Sequence, residues 1–165
     1  MVDIAKRLDQ IDPELQLILI CGHNQKLAAE LNALRTRRRM RIEGFTSNVE
    51  YFMALADFFI GKPGPGSISE ALQFHLPVIV ERNRRTLPQE RYNTEWVAEN
   101  AFGIVLSSFR EIAPAVEQLL CGPTLDKFRG NTAAYANRAL FEVPAILEKC
   151  YAHRKPSPEA VLSPA

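Results

Sequence analysis

The chain has 165 residues, 47% of them hydrophobic and 24% charged, with a formal net charge of +1 at neutral pH. That is the balance of an ordinary globular domain with one core, and it excludes the strong basic excess on which nucleic-acid binders depend. No apolar run is long enough to span a bilayer. The opening residues MVDIAKRLDQ mix charges into their apolar pattern and so lack the core of a signal peptide, so a cytoplasmic location is expected.

Cysteine and histidine usage narrows the chemistry further. Cys21, Cys121 and Cys150 are far apart, with no C-x-x-C pair, which points to reduced thiols and not to a redox or zinc motif. With His23, His75 and His153 the only imidazoles, no metal site and no cofactor are expected.

Helix-period and strand-type segments alternate along the chain, the mark of a parallel α/β sheet flanked by helices. Ile4, Leu8 and Ile11 predict an amphipathic helix over 2–11, stopped by Pro13. LQLILIC (15–21) is a continuous apolar run, as a strand covered on both faces requires. Leu27, Leu31 and Leu34 form the stripe of a second helix, which runs into the basic stretch from Arg35. MRIEGF (40–45), DFFIGK (57–62), LPVIVE (76–81) and GIVL (103–106) give four more strands. Between them, Ser47 with Glu50, Ser67 with Glu70 and Ser108 with Glu111 read as capping boxes. A polar loop, RNRRTLPQ, leads into a helix through Trp96 and Val97, with Trp96 in the core. Thr124 to Ala152 reads as helical, with a kink or break at Pro144. The tail 153–165, rich in proline and small residues, is expected to be disordered, leaving 1–152 as one domain.

The stretch Gly61-Lys62-Pro63-Gly64-Pro65-Gly66-Ser67-Ile68-Ser69-Glu70 lies where a strand ends and a helix begins, the place where open parallel sheets bind ligands. Gly64 and Gly66 let a bulky anion approach the backbone, and the amides of the following helical turn point at it with the helix dipole behind them. A diphosphate suits such a cradle. A plain turn followed by a capping box explains the same spacing, and on spacing alone both readings stand. The stretch is neither a G-K-[ST] phosphate loop nor a G-x-G-x-x-G dinucleotide fingerprint.

The segment ADFFIGKPGPGSISEALQFHLPVIVERNRRTLPQERYNTEWVAENAFGIVL resembles the donor domain of the glycosyltransferases that build monoglycosyldiacylglycerols. These are family 28 enzymes of the two-domain GT-B plan, and the peptidoglycan N-acetylglucosaminyltransferase is a more distant likeness. LILICGHNQKL and RIEGFTSNVEYFMALAD precede the glycine loop in the same order, so the likeness runs over roughly 14–150. It implies one half of a GT-B fold that binds a UDP-sugar, either UDP-glucose or UDP-galactose, for transfer of the hexose to a lipid acceptor. By the same resemblance, Gly44 and Phe45 hold the uracil, with Gly22, His23 and Asn24 beside it. Gly64, Gly66 and Ser67 face the diphosphate, Glu70 takes the ribose hydroxyls, and Gln89, Glu90 and Asn93 surround the transferred sugar. Carboxylates and amides suit vicinal hydroxyls because they make paired hydrogen bonds in one plane.

The resemblance places the acceptor site and the catalytic base on a separate N-terminal domain, so no catalytic residue is assigned here and inactivity alone is expected. It also puts a strand and a glycine loop ahead of the first helix, between the strands read at 15–21 and 57–62, which makes Met1 look like an internal start. The expectation is a gap in the sheet, completed by a partner chain in an oligomer, or an unstable isolated domain. Lys62 is read either as a phosphate contact or as a solvated charge, and His23 as the edge of the base pocket or a turn residue. Arg35, Arg37, Arg38, Arg39 and Arg41 either attract an anionic membrane surface or complement a helix C-terminus in water. Two other functions stay open: a non-catalytic nucleotide-binding or protein-interaction remnant, and a UDP-sugar epimerase relative. The epimerase loop of serine and two glycines with paired glutamates is absent.

Overall fold

The computed structural model describes residues 1–11 and 14–152, with the Leu140 side chain left aside. Pro13 and the tail expected to be disordered lie outside the described residues. The chain divides into two units, Met1–Tyr135 and Ala136–Ala165. The second holds one described helix and is treated by itself.

In the first unit, helix α1 (Val2–Leu8) precedes β1 (Leu17–Ile20), α2 (Gln25–Asn32), β2 (Met40–Glu43) and α3 (Val49–Leu55). Then come β3 (Phe59–Gly61), α4 (Pro65–Gln73), β4 (Val78–Glu81), α5 (Pro88–Glu99), β5 (Gly103–Leu106), α6 (Ile112–Leu120) and α7 (Thr124–Ala134). All five strands expected from the apolar runs are present, each inside its run. They do not form one sheet. β1 pairs only with β2, and β3-β4-β5 form a second sheet, with every pairing parallel.

Two buried clusters cover the two faces. On one face Leu17 and Leu19 of β1 and Ile79 of β4 meet Ala5 and Leu8 of α1, Leu31 of α2, and Ile112, Val116 and Leu119 of α6. On the other, Val78 and Val80 of β4 meet Met53 of α3, Ile68, Ala71 and Leu72 of α4, and Val97 of α5. Since α2 crosses on the first face and α3, α4 and α5 on the second, right-handed crossovers carry the chain in opposite directions. β2 therefore lies to one side of β1, and β3, β4 and β5 follow on the other. The winding reverses between β1 and β3.

Several local readings are corrected. α1 ends at Leu8 and not at 11: beyond Asp9 the Gln10 and Ile11 amides bond three residues back, to the Arg7 and Leu8 carbonyls at 3.4 and 3.3 Å, while the Asp9 carboxylate accepts from the Arg37 amide at 2.9 Å. Ser47 does not cap α3; Asn48 is the N-cap, and its amide donates to the Thr46 hydroxyl at 3.0 Å. Ser108 caps a short 3-10 turn by accepting from the Arg110 amide at 3.2 Å, while Glu111 accepts from the Ser107 hydroxyl at 3.1 Å, so no reciprocal box forms there. The helical stretch from Thr124 breaks between Ala134 and Ala139, not at Pro144, which sits inside α8 (Ala139–Ala152). The break follows from anchoring. Fully buried Thr132 donates to the His75 carbonyl at 2.8 Å, and Asn131 donates to the Ala101 carbonyl at 3.0 Å. Tyr135 then packs edge-on to Trp96, whose ring also meets Phe102; Trp96, expected in the core, is half-buried and packed against it.

The basic run is not uniform. Arg38 is buried, donating to the Leu15 carbonyl at 3.2 Å beside Asp9 at 4.0 Å, and Arg41 pairs with Glu43 at 2.5 Å. Arg35, Arg37 and Arg39 are exposed, at the end of β2 opposite the loops described next.

Candidate functional site

Parallel strands all present their C-terminal ends at one edge, and the point of reversed winding leaves a crevice there. The twelve residues singled out by the sequence stand on loops or in the first two helical turns that follow β1, β2, β3 or β4 at this edge.

Beyond β1 the Cys21 amide still donates to the Glu43 carbonyl at 2.7 Å, and the chain then turns at Gly22, whose φ is +57°. A residue with a Cβ would be strained in that conformation. His23 follows, exposed, and its ring lies 4.3 Å from that of Phe45 at an interplanar angle of 13°. Phe45 is 69% exposed, so the face of its ring not covered by His23 meets solvent. The two loop tips approach at Gly44, where a Cβ would make ordinary contact with the Gly22 carbonyl oxygen at 3.8 Å, so packing within the chain does not require glycine there. Asn24 has a different task from the one expected, since its side-chain oxygen caps α2 by accepting from the Leu27 amide at 3.0 Å.

Beyond β3 the helix starts earlier than Ser67. Gly64 is the N-cap and Pro65 the first helical residue, where its fixed φ is preorganised and its missing N–H costs nothing. The Ile68 amide makes the first helical bond, to the Gly64 carbonyl at 3.1 Å. The Gly66 and Ser67 amides are left with no acceptor inside the helix. The Ser67 hydroxyl donates back to the Gly64 carbonyl at 3.2 Å, and this replaces the expected capping box. A Cβ built on Gly66 meets nothing within 4 Å. The chain's own packing therefore does not require glycine there, whereas close approach of an outside group would. Glu70 lies four residues on and on the same face of α4 as Gly66. It is exposed, and among the described residues its carboxylate has no bonded partner. Lys62 is exposed at the loop's start.

Helix α5, beyond β4, brings exposed Gln89 and half-buried Glu90 to the same edge. Asn93, one turn further, turns inward and donates through Nδ2 to the Pro63 carbonyl at 2.8 Å. Pro65, Ile68, Ser69, Asn93 and Trp96 line a recess of about 60 Å³ behind the glycine loop. A larger recess of about 460 Å³, near Met1, Arg7 and Phe109, contains none of the twelve residues. The structure thus forms two groups flanking the reversal point, Gly22, His23, Gly44 and Phe45 on one side, and Gly64, Gly66, Ser67, Glu70, Gln89, Glu90 and Asn93 on the other. Sequence reasoning missed Pro65 as the helix start, although proline after a glycine is a recognisable first-turn signal. It also missed the Asn93–Pro63 tie, which no local pattern encodes.

Among the described residues no cluster of ligating side chains could hold a metal, and no helix is long and apolar enough to cross a membrane. The edge offers bare amides, the carboxylates of Glu70 and Glu90, and an exposed aromatic stack. Together these suit an anionic ligand carrying hydroxyls and a planar ring.

The chloroplastic monogalactosyldiacylglycerol synthase of Spinacia oleracea is 39% identical over 107 residues, which is 65% of this chain and 20% of that protein. The chloroplastic monogalactosyldiacylglycerol synthase 2 of Arabidopsis thaliana is 32% identical over 144 residues, 86% of this chain and 30% of the relative. The chain thus spans a fifth to a third of the curated relatives it matches. Among solved structures, the spinosyn forosaminyltransferase SpnP superposes with a TM-score of 0.63 at 14% identity, over 92% of this chain and 38% of that one. The spinosyn rhamnosyltransferase SpnG complexed with thymidine diphosphate gives 0.61 at 16% identity, over 89% of this chain and 40% of that one. At such identities these two show a shared fold. The sequence profile of the glycosyltransferase family 28 C-terminal domain matches residues 1–111, and the chain belongs to that family.

Proposed function

We propose that this domain binds a UDP-sugar at the C-terminal edge of its strands and presents the hexose for transfer to a lipid acceptor of the diacylglycerol type. The observation that carries the reading is the start of α4, where the Gly66 and Ser67 amides point outward from a glycine-lined turn with no acceptor of their own. A diphosphate seated there meets two aligned donors and the positive end of the helix dipole. As the bond from the anomeric carbon to the diphosphate breaks, charge builds on the leaving phosphate, and fixed amides stabilise it without rearranging.

The remaining roles are those that the resemblance implies, and the positions of the residues support them. Glu70, on the face of Gly66, accepts from the ribose hydroxyls. The nucleobase lies by Gly44 and Phe45, with the exposed Phe45 ring as an apolar surface. Gln89 and Glu90 meet the hydroxyls of glucose or galactose. Asn24, occupied as a cap, and Asn93, occupied at Pro63, act by holding their loops and not by touching ligand. The acceptor, and the base that activates its hydroxyl for an inverting displacement, belong to a second domain. Exposed Arg35, Arg37 and Arg39 would favour the surface of an anionic membrane by about 1 kcal/mol each.

Calorimetric titration with UDP, UDP-glucose and UDP-galactose tests the reading. Glu70→Ala should weaken UDP binding about tenfold or more, the value of one hydrogen bond to a charged group. The thermal midpoint should not move, since the carboxylate is exposed and has no bonded partner among the described residues. Unchanged affinity in the folded variant, or no uridine-nucleotide binding in the parent, removes the proposal. Binding without turnover when an acceptor domain is added in trans would favour a nucleotide sensor instead.

A further inference from the structure

Every described residue of α8 is exposed. A helix of 14 residues is marginal alone in water, and Pro144 inside it withholds one helical hydrogen bond. Such a helix is held by whatever covers its apolar side. Val143, Ile146, Leu147, Cys150 and Tyr151 stand at i, i+3, i+4, i+7 and i+8, so they form one stripe along it. Val143, Ile146, Leu147 and Tyr151 are each exposed by 50% or more.

The charges beside the stripe indicate what covers it. Glu142 and Lys149 are two helical turns apart, so they lie on one flank, beyond Ile146, with opposite signs. Phe141 and Glu148 lie on the other flank, beyond Tyr151. Two copies related by a two-fold axis across their helices run antiparallel, and each flank then faces its own counterpart. An axis passing between Ala145 and Ile146 sets Glu142 of each copy against Lys149 of the other. Ile146 and Leu147, next to the axis, meet their own counterparts, and the opposed helix dipoles attract. A parallel pair would keep Lys149 near Glu148 but would set Glu142 against Phe141 and align the dipoles. Within one copy Glu142 also pairs with Arg138 at 3.8 Å, an exposed contact worth little in water.

We propose that α8 joins two copies of this chain as an antiparallel helix pair, with the Val143, Ile146, Leu147 and Tyr151 stripes packed together and a Glu142–Lys149 pair at each end of one flank. The stripe does not suit a membrane surface, because the charges beside it are two acids and one base, where anionic lipid calls for a cationic polar face. At 1.5 Å per residue α8 is about 21 Å long, so the contact is small compared with that of an obligate dimer. The pair is therefore weak. Dilute protein is monomeric, with the stripe and its Cys150 open, and dimers form as concentration rises.

Sedimentation equilibrium of the full chain over a range of concentrations tests the pairing. The parent should pass from monomer to dimer, and Leu147→Asp should remain monomeric throughout. Glu142→Lys and Lys149→Glu should each weaken dimerisation about tenfold, since either one turns both crossing pairs into like charges. An equal mixture of the two charge variants should dimerise as the parent does, because opposite charges then meet at both crossings. That rescue also separates a lost pairing from a helix that has failed to form. A parent that stays monomeric at its highest soluble concentration would overturn the proposal, and association only with a separately supplied acceptor domain would replace it with that partner. Dimers that survive either charge reversal, or a mixture no better than its components, would overturn the antiparallel arrangement and with it the proposal. None of these outcomes depends on nucleotide binding.

Discussion

Asn93, on α5, donates from its side-chain amide to the main-chain carbonyl of Pro63 at 2.8 Å, across 30 residues of sequence. A helix that follows β4 thereby fixes the loop that follows β3, just ahead of the turn where the Gly66 and Ser67 amides are bared. Pro63 and Gly64 stand in succession just before the helix, yet the loop's position is set from outside itself.

Removing that tie should loosen the loop more than it unfolds the domain. Asn93→Ala leaves the half-buried Pro63 carbonyl without its donor, and stability should fall by about 1 kcal/mol. Nucleotide affinity should fall about five- to tenfold as the amides lose their alignment. Asn93→Asp should be no better, because a carboxylate cannot donate to a carbonyl. Calorimetry with UDP and a thermal melt separate the two effects, and affinity equal to that of the parent would show that the loop holds itself.

Gly103 opens β5 under a constraint that has nothing to do with turns. A Cβ there would lie 1.8 Å from the Val78 carbonyl oxygen and 2.7 Å from the Val78 carbonyl carbon, both main-chain atoms of the paired strand that cannot swing aside. Gly103→Ala should cost about 3 kcal/mol or more, lowering the melting temperature by roughly 10 °C for a domain of this size. Scanning calorimetry decides it, and a shift of only a degree or two would mean that β5 can slide at its start.

These two positions mark what the sequence could and could not disclose. The five strands were legible because apolar runs such as LILI and VIVE are short and bounded by polar turns, and their parallel pairing followed from the intervening helices. The edge holding the candidate site was legible for the same reason, as strand ends in such a fold all point one way. What local pattern concealed was hydrogen bonding set by distant partners. Ser67 and Glu70 have the spacing of a capping box, but Pro65 starts the helix sooner and turns the serine hydroxyl back to Gly64. Arg38 looks like its four arginine neighbours, yet Asp9 and the Leu15 carbonyl draw it inside. Asn24, which the resemblance puts beside the base, also caps α2 through its side-chain oxygen.

His75 ends α4 with φ at +57°, a left-handed conformation that glycine adopts without strain. Its amide donates to the Leu72 carbonyl at 3.0 Å and that of Leu76 to the Ala71 carbonyl at 2.9 Å, so the turn is held by main-chain bonds that any residue can make. His75→Gly relieves about 1 kcal/mol of backbone strain and gives part of it back through the greater freedom of the unfolded chain. A net gain of about 0.5 kcal/mol is expected, whereas His75→Val should lose more than 1 kcal/mol, roughly the further penalty of a β-branched side chain at positive φ. Urea midpoints rank the three proteins, and a destabilised glycine variant would show that the imidazole itself contributes.

Cys21 sits at the end of β1, 8% exposed, and burial pushes its thiol up from the ordinary value. Desolvation disfavours the thiolate, so the folded protein keeps this proton to a higher pH than the unfolded chain does. The sign follows directly: the contribution to stability is fully present below the unfolded thiol's pKa and is lost as pH rises through the folded value. Since the thiolate is the reacting species, Cys21 should alkylate more slowly than exposed Cys121 and Cys150. Iodoacetamide treatment of the native protein near pH 8, followed by peptide mass spectrometry, should show Cys121 and Cys150 labelled about tenfold or more ahead of Cys21. Cys21→Val should remove the slow site and flatten the decline of stability at alkaline pH. Equal labelling of all three would mean that β1 opens readily at its C-terminal end, beside Gly22 and the His23–Phe45 stack.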